Sequence, residues 1–253
     1  METALYRLAH IKAEEAKKPS RNNHLHVTDL SACPVGVWLT KTGQFVDHKD
    51  NDSKLRRFDA GKAIEHRVIE AYKHAGILKA EQVELTWPEY NMVGSADAVI
   101  EEEGQLWLVE IKSIHTFGID HLYRENKVHD HYLQQIMLYW SKLKETYPTM
   151  KARIYYEALD GRTFEREIDY DSKIVAAGLE KAKNLFSCIA TNTRPEPLPT
   201  FVKENDKNVL NWRVMYCISS GCHYLCDPNN ALSPEPDKWV SKLKYQAIKS
   251  NKQ

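Results

Sequence analysis

No apolar run in the chain approaches the roughly 20 residues needed to cross a bilayer, so no membrane-spanning helix is expected. The opening stretch, METALYRLAHIKAEEAKKPS, has no apolar region of the kind found in a secretory leader and carries three Glu. A reducing, cytoplasmic location is therefore expected. Neither sign of charge prevails, because 35 Lys and Arg balance 35 Asp and Glu. That excludes a chain that grips phosphates by bulk charge, and any basic surface must be local. Glycine and proline number only 10 each and no segment repeats, which removes collagen, coiled-coil and low-complexity readings. With 42% hydrophobic and 28% charged residues, disorder is not expected either. At about 150 residues per domain, 253 residues make one large domain or two small ones.

Cysteine is scarce but unevenly placed. The five are Cys33, Cys188, Cys217, Cys222 and Cys226. Disulfides are rare in the cytosol, so three cysteines close together point to metal or thiolate chemistry. Cys188 falls on a predicted helix and reads as a structural, buried residue.

Hydrophobic periodicity orders the rest. Residues 1–18 read as a helix, stopped by Pro19-Ser20. Thr28 or Ser31 could cap a short helix through Leu39, ended by Gly43, with a polar loop over 44–55. Residues 56–75 form a long helix whose apolar stripe is Ile64, Val68, Ala71, Tyr72 and Ala75, ended by Gly76. Strands are predicted at Glu81–Trp87, Asn91–Ile100 and Gln105–Ser113, the last two forming a hairpin about 101–104. A helix over 130–146 buries Leu133, Ile136, Met137, Trp140 and Leu143. Strands at Arg153–Ala158 and Thr163–Ile168, a helix over 171–190, an extended segment over 191–200 and a basic helix near 237–250 complete the chain. This order implies an α/β sandwich with a central mixed sheet flanked by helices. The expected division is an N-terminal helical segment (1–55), a core (56–190) and a C-terminal cysteine cluster with its basic helix (191–253).

The hairpin GSADAVIEEEGQLWLVEIKS carries the chemistry. Alternate residues of a strand share a face, so Leu106, Leu108, Glu110 and Lys112 point one way and Trp107, Val109 and Ile111 the other. Two charges ending so apolar a strand are costly unless they are used. Folding the hairpin brings Asp97, set among Gly94, Ser95, Ala96 and Ala98, toward Glu110. Two adjacent carboxylates repel, and a hard divalent cation relieves that repulsion. Lys112 would then hold a water or a phosphate oxygen. His66, off the apolar stripe of its helix, is a candidate third ligand. His131, Gln135, Tyr139 and Lys142 form a polar ladder on the later helix, suited to phosphate or base contacts. Each piece alone reads better as a solvated face, an ordinary histidine or a strand end; their order along the chain sets them apart. Lys54, Arg56, Arg57 and the C-terminal lysines are weaker candidates for phosphate contact.

Together these residues resemble the PD-(D/E)xK nuclease superfamily, in its RecB-like exonuclease branch. The pattern is matched by Gly61 to His66 (GKAIEH), Gly94-Ser95-Ala96-Asp97, Glu110-Ile111-Lys112, and Gln135 to Tyr139 (QIMLY), the QxxxY motif of that branch. The resemblance implies a restriction-endonuclease-like core. It implies that His66, Asp97, Glu110 and the carbonyl of Ile111 bind Mg²⁺ or Mn²⁺, that Lys112 positions the attacking water, and that Gln135 and Tyr139 orient Lys112 or the DNA strand. One cysteine before the core (Cys33) and three after it (Cys217, Cys222, Cys226) resemble the iron–sulfur nucleases of this branch, including the Cas-four-like CRISPR-associated family and the AddB-like helicase-nucleases. A 4Fe–4S cluster on these four would make a cap joining the N- and C-terminal segments. The last three are spaced C-x4-C-x3-C, with Ser220 where the family places its middle cysteine, so Zn²⁺ remains a rival, with His223 or Cys188 as substitute ligands. The expected activity is metal-dependent exonucleolytic cleavage of single-stranded or frayed DNA, with CRISPR adaptation or recombination proteins as partners. The alternative is a DNA-end-binding module of a larger complex. A site-specific restriction endonuclease is disfavoured by the QxxxY helix and the cysteines.

Overall fold

The computed structural model describes residues 24–44, 52–199, 201–204 and 207–210. The chain divides into two compact units, residues 1–31 with 49–186, and residues 32–48 with 187–253.

The first unit is built around two amphipathic segments with different periods. Helix α2, Asp52–His74, turns Ile64, Val68 and Ile69 inward. It starts at Asp52, earlier than residue 56, because Asp-Ser-Lys-Leu contains nothing that breaks a helix. Gly76 follows it at φ +70°, a left-handed conformation that costs glycine little and redirects the chain. Strands β2 (Leu78–Trp87), β3 (Met92–Glu102) and β4 (Gln105–Ile114) then run antiparallel. Glu103 and Gly104 join β3 to β4 with φ of +50° and +79°, as a two-residue type I′ turn requires.

From β4 the chain crosses over through helices α3 (Thr116–Glu125) and α4 (Asp130–Leu143) to β5 (Lys151–Ala158), which pairs with β4 in parallel. Strand β6 (Thr163–Ile168) returns antiparallel to β5, and helix α5 (Ser172–Ala190) follows. Strand β1, Leu25–His26, lies parallel to Met92 and Val93 of β3. The result is a mixed six-stranded sheet in the order β1-β3-β4-β5-β6, with β2 also on β3. Helices flank it, and the expected α/β class holds.

The two faces of β4 bury different things. Trp107, Val109 and Ile111 pack with Ala98 and Ile100 beneath Ile64, Val68 and Ile69 of α2. Leu108 and Glu110 are fully buried on the opposite face, as are Ile154 and Tyr156 of β5. Burying each large aliphatic side chain contributes about 1.5–3 kcal/mol. A one-residue slip of β4 would exchange its faces and carry Glu110 and Lys112 under α2, so apolar burial fixes where the charges stand.

Two elements escape sequence patterning. Strand β1 is only two residues long. Helix α3 buries only Ile119 and Leu122 and contains Gly118, a poor helix former. That glycine is needed, because a Cβ there would lie 2.6 Å from Cγ1 and 2.8 Å from Cδ1 of Ile114.

In the second unit, helix α1 (Pro34–Lys41) starts with Cys33 as its N-cap residue and proline at its first position. Thr42 Oγ1 donates to the Trp38 carbonyl at 2.8 Å, and Gly43 ends the helix at φ +72°. Gln44 Nε2 donates to Asn192 Oδ1 at 3.2 Å, tying the two segments of this unit together. Residues 193–199 carry no regular structure, and β7 (Phe201–Glu204) pairs with β8 (Lys207–Leu210). Cys188 is half-buried on α5. The helix expected over 1–18, residues Cys217, Cys222, His223 and Cys226, and the helix expected near 237–250 lie outside the described residues. Among the described residues no helix is long and apolar enough to cross a membrane.

Candidate active site

The β3–β4 ladder runs from Glu102↔Gln105 to Ala98↔Val109. One step further a side chain continues it: the Ile111 amide donates to Asp97 Oδ2 at 2.8 Å. This bond holds the Asp97 carboxylate on β4 beside Glu110. Lys112 reaches back to donate from Nζ to Glu110 Oε1, and its ammonium lies 3.9 Å from Asp97 Oδ2. Gln135 of α4 donates from Nε2 to Glu110 Oε1 at 2.7 Å and to the Tyr139 hydroxyl at 3.2 Å. Glu110 is fully buried, and its second oxygen, Oε2, has no hydrogen-bond partner.

Burial, then the repulsion of Asp97, pushes the Glu110 carboxyl up to about 8, against the opposing pull of Lys112. Burial also raises Asp97, while Lys112 and the Ile111 amide oppose the rise. For Lys112 burial works against the charge, but Glu110 and Asp97 together outweigh it, and the ammonium is held well above its ordinary range. The Tyr139 hydroxyl is raised too, first by burial and then by Glu110, so it stays protonated. One positive charge thus stands between two carboxylates in a desolvated pocket, and the Tyr132 ring lies 5.2 Å from the ammonium.

Small residues on β3 let α4 approach. A Cβ on Gly94 would lie 2.5 Å from Cε1 of Tyr139 and 3.0 Å from Cγ2 of Val27. Gly94 therefore seats the Tyr139 ring, and Tyr139 in turn receives Gln135. Gly61 does the same for α2, since a Cβ there would meet Ser113 Oγ at 3.0 Å.

One turn beyond Gly61, α2 presents Glu65. It accepts from Gln82 Nε2 at 2.6 Å, and Gln82 Oε1 accepts from Ser95 Oγ at 3.0 Å. Burial, then Asp97, raises the Glu65 carboxyl, while Lys112 and Gln82 oppose the rise. Gln82 has φ +48° in the middle of β2, a conformation that costs a residue with a side chain about 1–2 kcal/mol.

The structure brings together Asp97, Glu110, Lys112, Gln135 and Tyr139, and leaves out His66. His66 is exposed, and its electrostatic neighbour is Glu70 on its own helix. The helical residue whose charge couples to Asp97 and Glu110 is its predecessor, Glu65. A helix advances about 100° per residue, so Glu65 and His66 point in different directions from the same turn. Gln135 and Tyr139 are buried and bond the Glu110 side of the site, so they reach neither solvent nor Lys112 directly. The ladder expected on α4 is thus not an exposed polar face. Ile111 contributes its amide to Asp97 and its side chain to the core under α2. Cys33 belongs to the second unit.

The donor set able to take a hard divalent cation is Asp97 and Glu110, with Glu65 close enough to feel their charge. Among the described residues no three His, Cys, Asp or Glu side chains are gathered as tightly as a finished metal centre. The unpartnered Glu110 Oε2 and the paired, repelling carboxylates are nonetheless the chemistry an oxygen-seeking cation satisfies.

The family profile of the YqaJ-like viral recombinase domain matches residues 15–141, just over half of the chain and all of the site described above. Among solved structures, the fold is similar to the protein SSO0001, at 18% identity and TM-score 0.50, over 74% of this chain and 86% of that one. It is also similar to the alkaline exonuclease LHK-Exo from Laribacter hongkongensis, at 12% identity and TM-score 0.50, over 69% of this chain and 91% of that one. A structure of LHK-Exo in complex with dAMP matches with the same figures. At these identities the similarity speaks for the fold. No curated relative matches the chain in sequence.

Proposed function

Because the chain belongs to the YqaJ-like viral recombinase domain family, within the PD-(D/E)xK nuclease superfamily, we propose that it is a metal-dependent DNA exonuclease acting in recombination. The observation that carries this reading is the buried Asp97–Glu110–Lys112 set, with one Glu110 oxygen left without a partner. The exonuclease neighbours support it, and the dAMP in one of them has the chemistry of a product released from a DNA end.

Asp97 and Glu110 would hold Mg²⁺ or Mn²⁺, with Glu65 in the place the sequence pattern gave to His66. When bound, the cation supplies charge neutralisation at the scissile phosphate and lowers the pKa of the attacking water. Lys112, held charged by the two carboxylates, orients that water and offsets the negative charge that grows on the phosphate oxygens. Gln135 keeps Glu110 in place by donating to Oε1, which leaves Oε2 as the oxygen that would hold a cation. Tyr139 stays neutral and serves as the support of Gln135.

The cysteines form a separate proposal. All five fall within the residue ranges of the second unit and none within the first. We propose that Cys33, Cys217, Cys222 and Cys226 bind a 4Fe–4S cluster, with Zn²⁺ as the competing occupant, and metal analysis of anaerobically purified protein decides between them.

The nuclease reading is tested with a linear DNA substrate and Mn²⁺, comparing wild type with Glu110→Gln, which keeps the side chain's shape and removes its charge. Release of deoxynucleoside monophosphates by wild type and its loss by at least about 100-fold in Glu110→Gln is the expected result. Tight binding to DNA ends without cleavage under any metal would replace this reading with an end-binding module.

A further inference from the structure

Beyond the carboxylates, aromatic and basic side chains continue away from Lys112. The Lys112 ammonium lies 5.2 Å from the Tyr132 ring centre. The Tyr132 ring is 4.0 Å from that of His131 and 5.8 Å from that of His129, and the two histidine rings are 5.5 Å apart. His129, Nδ1 of which has no hydrogen-bond partner, is an electrostatic neighbour of His121 on α3. His121 Nδ1 lies 3.1 Å from the Arg124 guanidinium, which also donates to Glu125. Positions 117, 121 and 124 recur at helical spacing, so Phe117 shares this face of α3.

Phe117 is the most unusual member. It is 80% exposed, the most exposed large hydrophobic residue described. Its ring is not loose on the surface, because it stacks on His115 at 5.4 Å with the planes 24° apart. His115 is itself fixed as the cap of α3, its ring nitrogen accepting from the Phe117 amide at 3.4 Å. Gly118 then presses this helix start against Ile114, at the end of the strand that carries Glu110 and Lys112. An apolar ring held rigidly in water, five residues beyond Lys112, has no role in the core.

Aromatic faces flanked by fixed positive charge are what a single nucleic-acid strand needs. Bases stack on the rings whatever their sequence, and phosphates lie toward the positive groups, here Lys112 and Arg124; burial pushes His129 below its ordinary range, so its ring serves as a stacking face. We infer that Phe117, His121, His129, His131 and Tyr132 form a track for single-stranded DNA that ends at Lys112. This deepens the nuclease reading and rests on it for the direction of travel. It requires duplex substrate to be frayed before its end reaches the carboxylates.

The test separates the track from the chemistry. Binding of a fluorescein-labelled 20-nucleotide single strand is measured in EDTA, where no cleavage occurs, for wild type, Phe117→Ala, Phe117→Trp and Leu159→Ala. Leu159 is also exposed, at 65%, and stands in the β5–β6 turn, not among the track residues, so it reports the general effect of losing surface apolar area. The track predicts that Phe117→Ala weakens binding at least about 5-fold, that Phe117→Trp does not, and that Leu159→Ala is neutral. Circular dichroism confirms that each variant is folded, which is expected for surface positions. Equal affinity of Phe117→Ala and wild type, or an equal loss in Leu159→Ala, overturns the track. Failure of wild type to cleave in Mn²⁺ would instead count against the nuclease reading, whatever the binding result.

Discussion

A single buried carboxyl sets the character of the site. Glu110 in the metal-free protein is raised from an ordinary carboxyl value to about 8, so between about pH 4.5 and 8 the folded chain holds a proton that the unfolded chain has released. Stability therefore falls as pH rises through that window. Lys112 stays charged throughout it and contributes no slope of its own. Thermal unfolding in EDTA should show the melting temperature dropping from pH 5 to pH 8, and Mn²⁺ should flatten the profile; a flat profile without metal would contradict the burial of a charged pair. Gln82 offers a sharper test. Replacing it with Gly relieves a left-handed backbone and removes the donor to Glu65. Gln82→Gly should leave stability unchanged or raise it by up to about 1 kcal/mol, while weakening Mn²⁺ binding by about 10-fold in calorimetry. A loss of stability with unchanged metal affinity would make Gln82 merely structural. Neither Gln82 nor Glu65 was legible in the sequence. Glu65 stands beside a histidine in GKAIEH, and only the rotation of the helix decides which of the two faces the carboxylates. Gln82 looks like any polar residue of an edge strand until its φ is known.

Strands disclose themselves more readily than helices do here. The alternation in Gln105–Ile114 places Glu110 and Lys112 on one face and Trp107, Val109 and Ile111 on the other, and the structure keeps that division because each face is buried against different partners. Apolar spacing discloses helix α4, but its polar residues read in the sequence as a ladder suited to phosphate or base contacts. Gln135 and Tyr139 are instead enclosed, because glycine at position 94 lets the helix settle onto β3. Sequence periodicity shows which residues could share a face, not how closely another backbone approaches it. Gly94→Ala tests that closeness. Its Cβ would lie 2.5 Å from a Tyr139 ring that has nowhere to go, so the variant should lose about 1–3 kcal/mol in urea unfolding. Cleavage should fall further than stability does, because displacing Tyr139 loosens Gln135 and with it Glu110. A variant as stable and active as wild type would mean that α4 can shift without disturbing the carboxylates. Helix α3 stayed hidden because its buried residues are few and Gly118 interrupts its propensity.

At the scale of the molecule, a mixed sheet carries the candidate site residues in one unit, while the cysteines fall in the ranges of another. The α/β class was readable because strands and helices alternate with distinct periods. The second unit draws on segments far apart in the chain, 32–48 and 187–253. Membership of the YqaJ-like viral recombinase domain family supports the proposed DNA-strand processing, and neutral overall charge then requires that the grip on DNA be local to the site and its surroundings. The most direct measurement is a time course on single-stranded DNA labelled at the 5′ or the 3′ end, with anaerobically purified wild type and Lys112→Ala, in EDTA and in Mn²⁺. The account predicts progressive shortening by wild type in Mn²⁺ alone and none by Lys112→Ala, with the label lost first giving the polarity. Shortening that persists in Lys112→Ala or in EDTA, or no shortening by wild type, would contradict it.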